Sequence, residues 1–119
     1  CVMVDLDHFK RINDTWGHHA GDKVLIAASS IMMDTARQYD EVGRYGGEEF
    51  AILLPNANLE GAAVVAERIR ERIANTTVEV DGNRITMTAS FGVACYPAPD
   101  ITDLNDLLKA ADKALYEAK

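Results

Sequence analysis

The residues best suited to chemistry in this chain are two carboxylates that directly follow a pair of glycines. Glu48 and Glu49 come after Gly46 and Gly47, and apolar stretches at 42–45 and 50–54 predict a short strand on each side. Because glycine tolerates positive φ, the pair predicts a tight hairpin turn whose N–H groups a ligand can approach. A carboxylate at such a turn can hold a cation. The alternative is a solvated acidic turn, which the turn taken alone favours.

A second acidic position, near the start of the chain, changes this balance. The apolar run 1–4 predicts a buried strand that ends at Asp5, and a right-handed crossover returns the strand at 42–45 parallel to it. The C-terminal ends of both strands then lie at one sheet edge, which brings Asp5 towards Glu48. Mg²⁺ prefers oxygen ligands and keeps several waters, so these two carboxylates and the carbonyl of Leu6 suit one or two ions. Lys10, at the start of a short helix, can neutralise phosphate charge together with the N–H groups of that helix end.

The rest of the pattern supplies the elements that must position these groups. Strands and helices alternate in an order that predicts an α+β fold, with a central, mostly antiparallel sheet flanked by helices. The predicted elements are, in chain order, a strand at 1–4, a helix at 11–14, a helix from an Asp22 N-cap to about Gln38, the hairpin above, a helix from Asn58 or Leu59 to 75–76, a hairpin of 77–80 and 84–94 across 81–83, a loop at Pro97 and Pro99, and a helix capped by Thr102 or Asp103.

Composition limits the classes of protein that fit. The chain has 119 residues, of which 48% are hydrophobic, as expected for one domain with a real core. Its net charge of −7 argues against a general surface for nucleic-acid polymers. Cys1 and Cys95 are expected to be reduced, and no apolar run is long enough to span a membrane, so we expect a cytoplasmic domain. Both ends look cut from a longer protein, in which a membrane anchor is compatible with this pattern.

Several motifs in a fixed order carry a resemblance to a known family. They are DLDHFK at 5–10, ND at 13–14, GH at 17–18, GD at 21–22, GGEEF at 46–50, SFGVA at 90–94 and ADKALY at 111–116. Together they resemble the GGDEF domain, the catalytic domain of diguanylate cyclases, over almost the whole chain. The resemblance implies a palm-like nucleotidyl-cyclase fold over 1–119 that joins two GTP molecules into cyclic di-GMP with release of two pyrophosphates. The family segments DxLTGLxNR before the first strand and GRN after the last helix are absent, which implies weaker GTP binding.

The resemblance implies a role for each motif. Asp5, the Leu6 carbonyl and Glu48 would bind Mg²⁺ or Mn²⁺, two ions per active site. Glu48, Glu49 and Lys10 would be the catalytic residues, Glu48 by assisting deprotonation of the ribose 3′-hydroxyl and Lys10 by stabilising the transition state. The residues implied to bind the substrate are Phe9 and Lys10 at the phosphates, Asn13 and Asp22 at the guanine, His18 as a further contact, and Lys119 at a phosphate.

The resemblance also implies partners and regulation. Each domain holds one GTP, so two domains must face each other as a homodimer, under the control of a sensor or receiver domain in the full-length protein. Arg37 and Asp40 match the RxxD site at which the family binds its own product, cyclic di-GMP, and Arg68 matches a secondary contact from a neighbouring domain.

Three alternatives stay open at this stage. A catalytically silent relative would bind GTP or cyclic di-GMP as a regulatory module, although such relatives usually lose the GGEEF signature. A fragment of another palm-like cyclase or polymerase would hold metal ions at the same sheet edge in the same way. At single residues, Asp22 is sufficient as a helix cap, and Arg37 with Asp40 as an ordinary i,i+3 ion pair.

Overall fold

The computed structural model of the chain describes residues 1–96, 101 and 103–118. The predicted loop at Pro97 and Pro99, the proposed cap Thr102 and the proposed phosphate ligand Lys119 lie outside these residues. The elements are, in chain order, β1 (Val2–Leu6), α1 (Phe9–Trp16), α2 (His18–Thr35), β2 (Glu41–Arg44), β3 (Glu49–Leu53), α3 (Leu59–Ala74), β4 (Thr77–Val80), β5 (Asn83–Thr86), β6 (Ala89–Val93) and α4 (Leu104–Ala118).

The described strands form one four-stranded sheet in the order β2-β3-β1-β6 and a separate two-stranded sheet of β4 and β5. All neighbouring strands are antiparallel, so β1 and β2 run in the same direction with β3 between them. The predicted α+β fold class is therefore confirmed. The C-terminal ends of β1 and β2 lie at the same sheet edge, as the crossover argument requires.

Helices cover both faces of the main sheet. Alternate residues of β1 point to opposite sides, so each face has buried apolar side chains on which helices pack. Val2, Val4 and Leu6 belong to a core cluster with α1, α2 and α3. Cys1 and Met3 belong to a second cluster with α4. All five residues of β1 are buried, and this strand is therefore the centre of the fold.

Close packing of α4 on the sheet depends on Gly92 in β6. A Cβ atom at this position would lie 2.2 Å from both the carbonyl oxygen of Ala111 and the backbone nitrogen of Leu115. These are backbone atoms of α4, so no rotamer change could relieve the overlap. The absence of a side chain at Gly92 thus sets the distance between α4 and the sheet.

The predicted start and end of α2 were wrong. The helix begins at His18, so Asp22 is an exposed residue of its second turn and not its N-cap. The break between α1 and α2 is only Gly17, whose φ of 90° ends α1 while its N–H donates to the carbonyl of Asn13. At the other end α2 stops at Thr35 and Ala36 is extended, before the predicted Gln38.

Two predicted hairpins also differ from the structure. The strand predicted over 84–94 is broken after Thr86, because β5 pairs with β4 whereas β6 pairs with β1. The turn of that hairpin is the two-residue Asp81–Gly82, with φ of 51° and 82°, and not 81–83. The predicted hairpin around Gly46–Gly47 is confirmed, because β2 and β3 pair across residues 45–48, but neither glycine has the expected positive φ.

The predicted start of α3 and the predicted Asp103 cap of α4 are confirmed. Asn58 accepts a hydrogen bond from the N–H of Gly61 at 2.7 Å at the start of α3. Asp103 accepts one from the N–H of Asp106 at 2.8 Å at the start of α4. Each cap satisfies an N–H group that the helix itself leaves without an acceptor.

Candidate active site

The two acidic segments meet at one edge of the main sheet. Asp5 in β1 pairs with Glu49 in β3, and the backbone N–H of Leu6 donates to the carbonyl of Glu48 at 3.2 Å. Residues directly opposite each other in an antiparallel pair place their side chains on the same face. The convergence expected from the crossover is therefore present, and Asp5, Leu6, Glu48 and Glu49 are immediate neighbours.

Asp5 differs from the other acidic residues in its burial. It is 9% exposed and is the only charged residue among the described ones that is classed with the buried interior, whereas Glu48 and Glu49 are half-buried. Burying an ionised carboxylate is costly unless it is paired, hydrogen-bonded or bound to a metal. A buried carboxylate at the end of a central strand is thus a feature that the core alone does not require.

Arg44 holds the Gly46–Gly47 turn in place. Its Nε donates to the carbonyl oxygens of Gly46 at 3.3 Å and Gly47 at 3.2 Å, and its Nη2 also donates to Gly47. The N–H groups of Tyr45 and Gly46 both donate to the carbonyl of Glu49. The turn that precedes Glu48 is therefore closed by a side chain, a role that sequence reasoning missed although Arg44 stands two residues before the glycine pair.

The chain turns sharply from β1 into α1 at His8, which has a left-handed backbone with φ of 55°. This turn places Phe9 and Lys10 in the first turn of α1, close in sequence to Asp5. In the described structure no side chain caps that first turn, so its N–H groups point out of the helix end without a side-chain acceptor. A helix N-terminus of this kind favours anions, and the exposed ammonium of Lys10 adds a positive charge there.

Asn13 packs against Gly21, the residue that precedes Asp22 in α2. A Cβ atom on Gly21 would lie 1.8 Å from Oδ1 of Asn13 and 3.2 Å from Cζ of Phe9, so both side chains pack directly against this glycine. Asp22 follows Gly21 in the chain, and His18 lies four residues before Asp22 on the same face of α2. His18 and Asp22 are both exposed. The positioning role of Gly21 was not expected from the sequence.

Asp7 has a structural function at this edge. Its carboxylate accepts hydrogen bonds from the hydroxyls of Thr88 at 2.8 Å and Ser90 at 2.7 Å, and its N–H donates to the carbonyl of Thr88. These bonds connect the end of β1 to the start of β6. Sequence reasoning did not identify Thr88 or Ser90 as its partners.

The Arg37–Asp40 pair lies in the connection from α2 to β2. The guanidinium of Arg37 donates to both carboxylate oxygens of Asp40 at 2.8–3.1 Å, and its Nη2 also donates to the carbonyl of Pro55 at 3.0 Å. Burial opposes ionisation of Asp40, but the hydrogen bonds from Arg37 outweigh it and hold the pKa of this carboxyl below its usual value. Arg68 lies on α3 and is exposed.

The predicted metal ligands suit a hard divalent cation. Among the described residues no group of three or more His, Cys, Asp or Glu side chains is arranged to hold a metal. The predicted set is different in kind, with two carboxylates and one backbone carbonyl, and Mg²⁺ commonly completes such a set with waters and substrate phosphates. The adjacency of Asp5, Leu6 and Glu48, together with the burial of Asp5, fits this donor set.

The fold and this sheet edge define a nucleotidyl-cyclase-type α+β domain. The whole chain, residues 1–119, matches the family described as "Diguanylate cyclase, GGDEF domain". The chain therefore belongs to the GGDEF domain family, and the resemblance stated from the motifs is confirmed.

Individual relatives agree with this assignment. The chain is 44% identical over 118 residues to diguanylate cyclase A of Treponema denticola. The matched region covers 99% of this chain but only 32% of that protein. Among solved structures, the GGDEF domain of YfiN (TpbB) from Pseudomonas aeruginosa superimposes with a TM-score of 0.92 at 36% identity, over 99% of this chain and 69% of that one.

A second solved relative was crystallised with a ligand. The GGDEF domain of DgcB from Caulobacter crescentus, in complex with c-di-GMP, has a TM-score of 0.89 at 32% identity, over 98% of this chain and 68% of that one. The chain thus spans about a third of the curated cyclase and about two thirds of each of these two solved chains. Within the described residues, no helix has the length and hydropathy that a membrane span needs.

Proposed function

We propose that this domain is a diguanylate cyclase that condenses two GTP molecules into cyclic di-GMP and two pyrophosphates. The observation that carries this proposal is the hydrogen bond from the Leu6 N–H to the Glu48 carbonyl, which joins the strand end at Asp5 to the GGEEF turn. Family membership over residues 1–119 supplies the reaction class.

In this proposal Asp5, the Leu6 carbonyl and Glu48 hold Mg²⁺ or Mn²⁺, with two ions per active site. Bound there, such ions would supply charge neutralisation at the phosphates and would favour loss of the proton from the ribose 3′-hydroxyl. Glu48 and Glu49 stand beside that hydroxyl, and Glu48 assists removal of its proton as the oxygen attacks the α-phosphate of the other GTP. Lys10 and the N-terminal N–H groups of α1 at Phe9 hold the phosphates and stabilise the charge that develops there.

Guanine recognition falls to Asn13 and Asp22. The carboxylate of Asp22 can accept hydrogen bonds from guanine N1–H and the exocyclic amino group, whereas adenine presents no such pair of donors. The amide of Asn13 lies against Gly21 beside it and can bond another part of the same edge. His18, on the same face of α2 as Asp22, and Lys119 are proposed as further substrate contacts.

Since each domain binds one GTP, the proposed active unit is a homodimer of half-sites, brought together by a sensor or receiver domain in the full-length protein. The Arg37–Asp40 pair, with Arg68 of a neighbouring domain, is proposed as a product site at which cyclic di-GMP slows turnover. The complex of DgcB with c-di-GMP supports the choice of this ligand.

The test is chromatographic. The full-length protein is incubated with GTP and Mg²⁺, and the nucleotides are separated and quantified over time. We expect cyclic di-GMP and pyrophosphate in a ratio of one to two, and no product with ATP. If GTP binds with measurable affinity but remains intact, the proposed cyclase activity is contradicted and the domain is a regulatory binding module.

A further inference from the structure

An exposed aromatic ring belongs to the Arg37–Asp40 turn and has no role in the account above. The ring centroid of Tyr39 lies 5.1 Å from Cζ of Arg37, within the range of a cation–π contact. Tyr39 is 62% exposed, so most of its surface is accessible to a ligand. A large aromatic side chain left in water beside an arginine is therefore the feature of this turn that packing does not explain.

The arginine beside this ring is fixed before any ligand binds. All described hydrogen bonds of the Arg37 side chain are made by Nε and Nη2, to Asp40 and to the carbonyl of Pro55, and the backbone N–H of Arg37 also donates to the Asp40 carboxylate at 2.7 Å. These bonds connect the turn to the residue that follows β3. They also leave the Nη1 group, with its two N–H donors, without a described partner.

The carboxylate of Asp40, unlike the guanidinium of Arg37, is not accessible to a ligand. Its side chain has 0% exposure, whereas the side chain of Arg37 is 39% exposed. In this arrangement Asp40 holds the guanidinium, and the accessible groups of the turn are Nη1 of Arg37 and the ring of Tyr39. Because the guanidinium of Arg37 lies over one face of the Tyr39 ring, a purine base would stack on the opposite face, and the Arg37 donor would bond a phosphate of the same ligand.

We propose that Tyr39 is a stacking residue of this site and binds one purine base of a cyclic dinucleotide beside Arg37. This inference rests on the proposed product site and adds to it a residue that supplies affinity. Stacking tolerates any base because every base has a π-face, so Tyr39 contributes to the strength of binding and not to the choice of base.

The experiment is a calorimetric titration of cyclic di-GMP into full-length protein carrying single substitutions. Tyr39→Ala should weaken binding by about 10- to 100-fold, the range expected for loss of one base–aromatic stack. Tyr39→Phe keeps the ring and should bind within about threefold of wild type. Tyr116→Ala removes another exposed tyrosine, on α4, and should leave the affinity unchanged. The initial rate with GTP should be the same in all four proteins.

The outcomes separate this inference from the product site itself. Wild-type affinity in Tyr39→Ala, with loss of binding in Arg37→Ala, would overturn the stacking role and leave the product site in place. Binding by Tyr39→Phe that is as weak as in Tyr39→Ala would also overturn stacking, because the hydroxyl would then be the important group. If neither Arg37→Ala nor Tyr39→Ala changes the affinity, both proposals fail. Should Tyr39→Ala not fold, Tyr39→Leu gives the same comparison with the apolar bulk retained.

Discussion

At the scale of single residues, the clearest contrast is between two carboxylates with different surroundings. Asp5 is buried at the end of the central strand, and Glu48 is half-buried in a surface turn. A buried carboxylate can affect both folding and function, whereas a carboxylate in a surface turn contributes little to stability. Substitution of Glu48 is therefore the cleaner test of the proposed metal site.

We expect Glu48→Gln to abolish cyclic di-GMP production without changing the free energy of unfolding by more than about 0.5 kcal/mol. The amide keeps the shape of the side chain but loses the charge that a divalent cation needs. Asp5→Asn should also abolish turnover, because both residues are proposed to hold the same ions. The measurements are steady-state turnover and urea unfolding of each variant.

Glu117→Gln is the matched control, because it removes an exposed carboxylate from α4. Its turnover should equal that of wild type. A folded Glu48→Gln protein with near-wild-type turnover would contradict the metal assignment.

At the scale of elements, the crossing of α1 and α2 determines where the proposed guanine contacts lie. Gly21 is the contact point, and its missing Cβ leaves room for the amide of Asn13. Replacement of a helix-interior glycine by alanine favours the helix by about 1 kcal/mol. The atom that a new Cβ would meet first is the end of a flexible side chain, which can rotate away. The two effects are therefore separable, one on stability and one on Asn13.

Gly21→Ala should accordingly reduce the preference for GTP over ATP by about three- to tenfold, the usual worth of one hydrogen bond, while stability stays level or rises. The measurement is kcat/KM for both nucleotides together with urea unfolding. In an Asn13→Ala background the same substitution should have no further effect on selectivity, because its target is already absent. Independent, additive losses would show that Gly21 does not act through Asn13.

The contact of α4 with β6 gives a second prediction for an element, this time on stability. In Gly92→Ala the new Cβ would meet backbone atoms of α4 at 2.2 Å, so the helix itself must shift. We expect a loss of about 1–3 kcal/mol or more in the free energy of unfolding, seen as a lower urea midpoint with an unchanged slope.

Gly43→Ala is the matched control on the exposed strand β2. No atom lies within 4 Å of the position that its Cβ would take, and its backbone does not have positive φ. Its stability should stay within about 0.5 kcal/mol of wild type. Equal losses in the two variants would mean that the close approach of α4 is not the cause.

The elements also show where sequence reasoning works and where it stops. The fold class, the convergence of Asp5 with Glu48 and the Asp103 cap follow from hydrophobic patterns, strand direction and local hydrogen bonding, and all three are present. The predicted start of α2 was wrong because Asp22 is chemically sufficient as a cap. The sequence does not reveal that Gly17 alone separates two helices.

Other features depend on tertiary contacts that no local pattern encodes. The alternation in 84–94 is continuous in sequence, and only the pairing of β5 with β4 and of β6 with β1 divides it into two strands. The clamp of Arg44 on the turn carbonyls and the fit of Gly21 against Asn13 are likewise contacts made in space. These are the features of the site that the sequence did not predict.

At the scale of the whole molecule, most of the proposed active-site groups other than Asp5 are open to solvent. Lys10, Asp22 and the Gly46–Gly47 turn are all exposed. In the proposed arrangement each domain holds one GTP, and none of the described residues is assigned to a second GTP opposite the first. Each domain also carries a formal net charge of −7, so two domains repel each other over distances of about a Debye length.

We therefore expect the rate per domain to rise with protein concentration until dimers dominate, because the reactive encounter needs two loaded domains. At low concentration, added salt should speed the reaction moderately by screening the repulsion between the domains. Fusion of the domain to a parallel dimeric coiled coil should remove most of the concentration dependence, since a short linker gives an effective concentration on the order of millimolar. The measurement is the initial rate of cyclic di-GMP formation over a dilution series, for the free and the fused domain. The Glu48→Gln domain fused to the same coiled coil serves as the inactive control. A rate per free domain that stays constant through the range where sedimentation shows dimers dissociating would contradict the half-site arrangement.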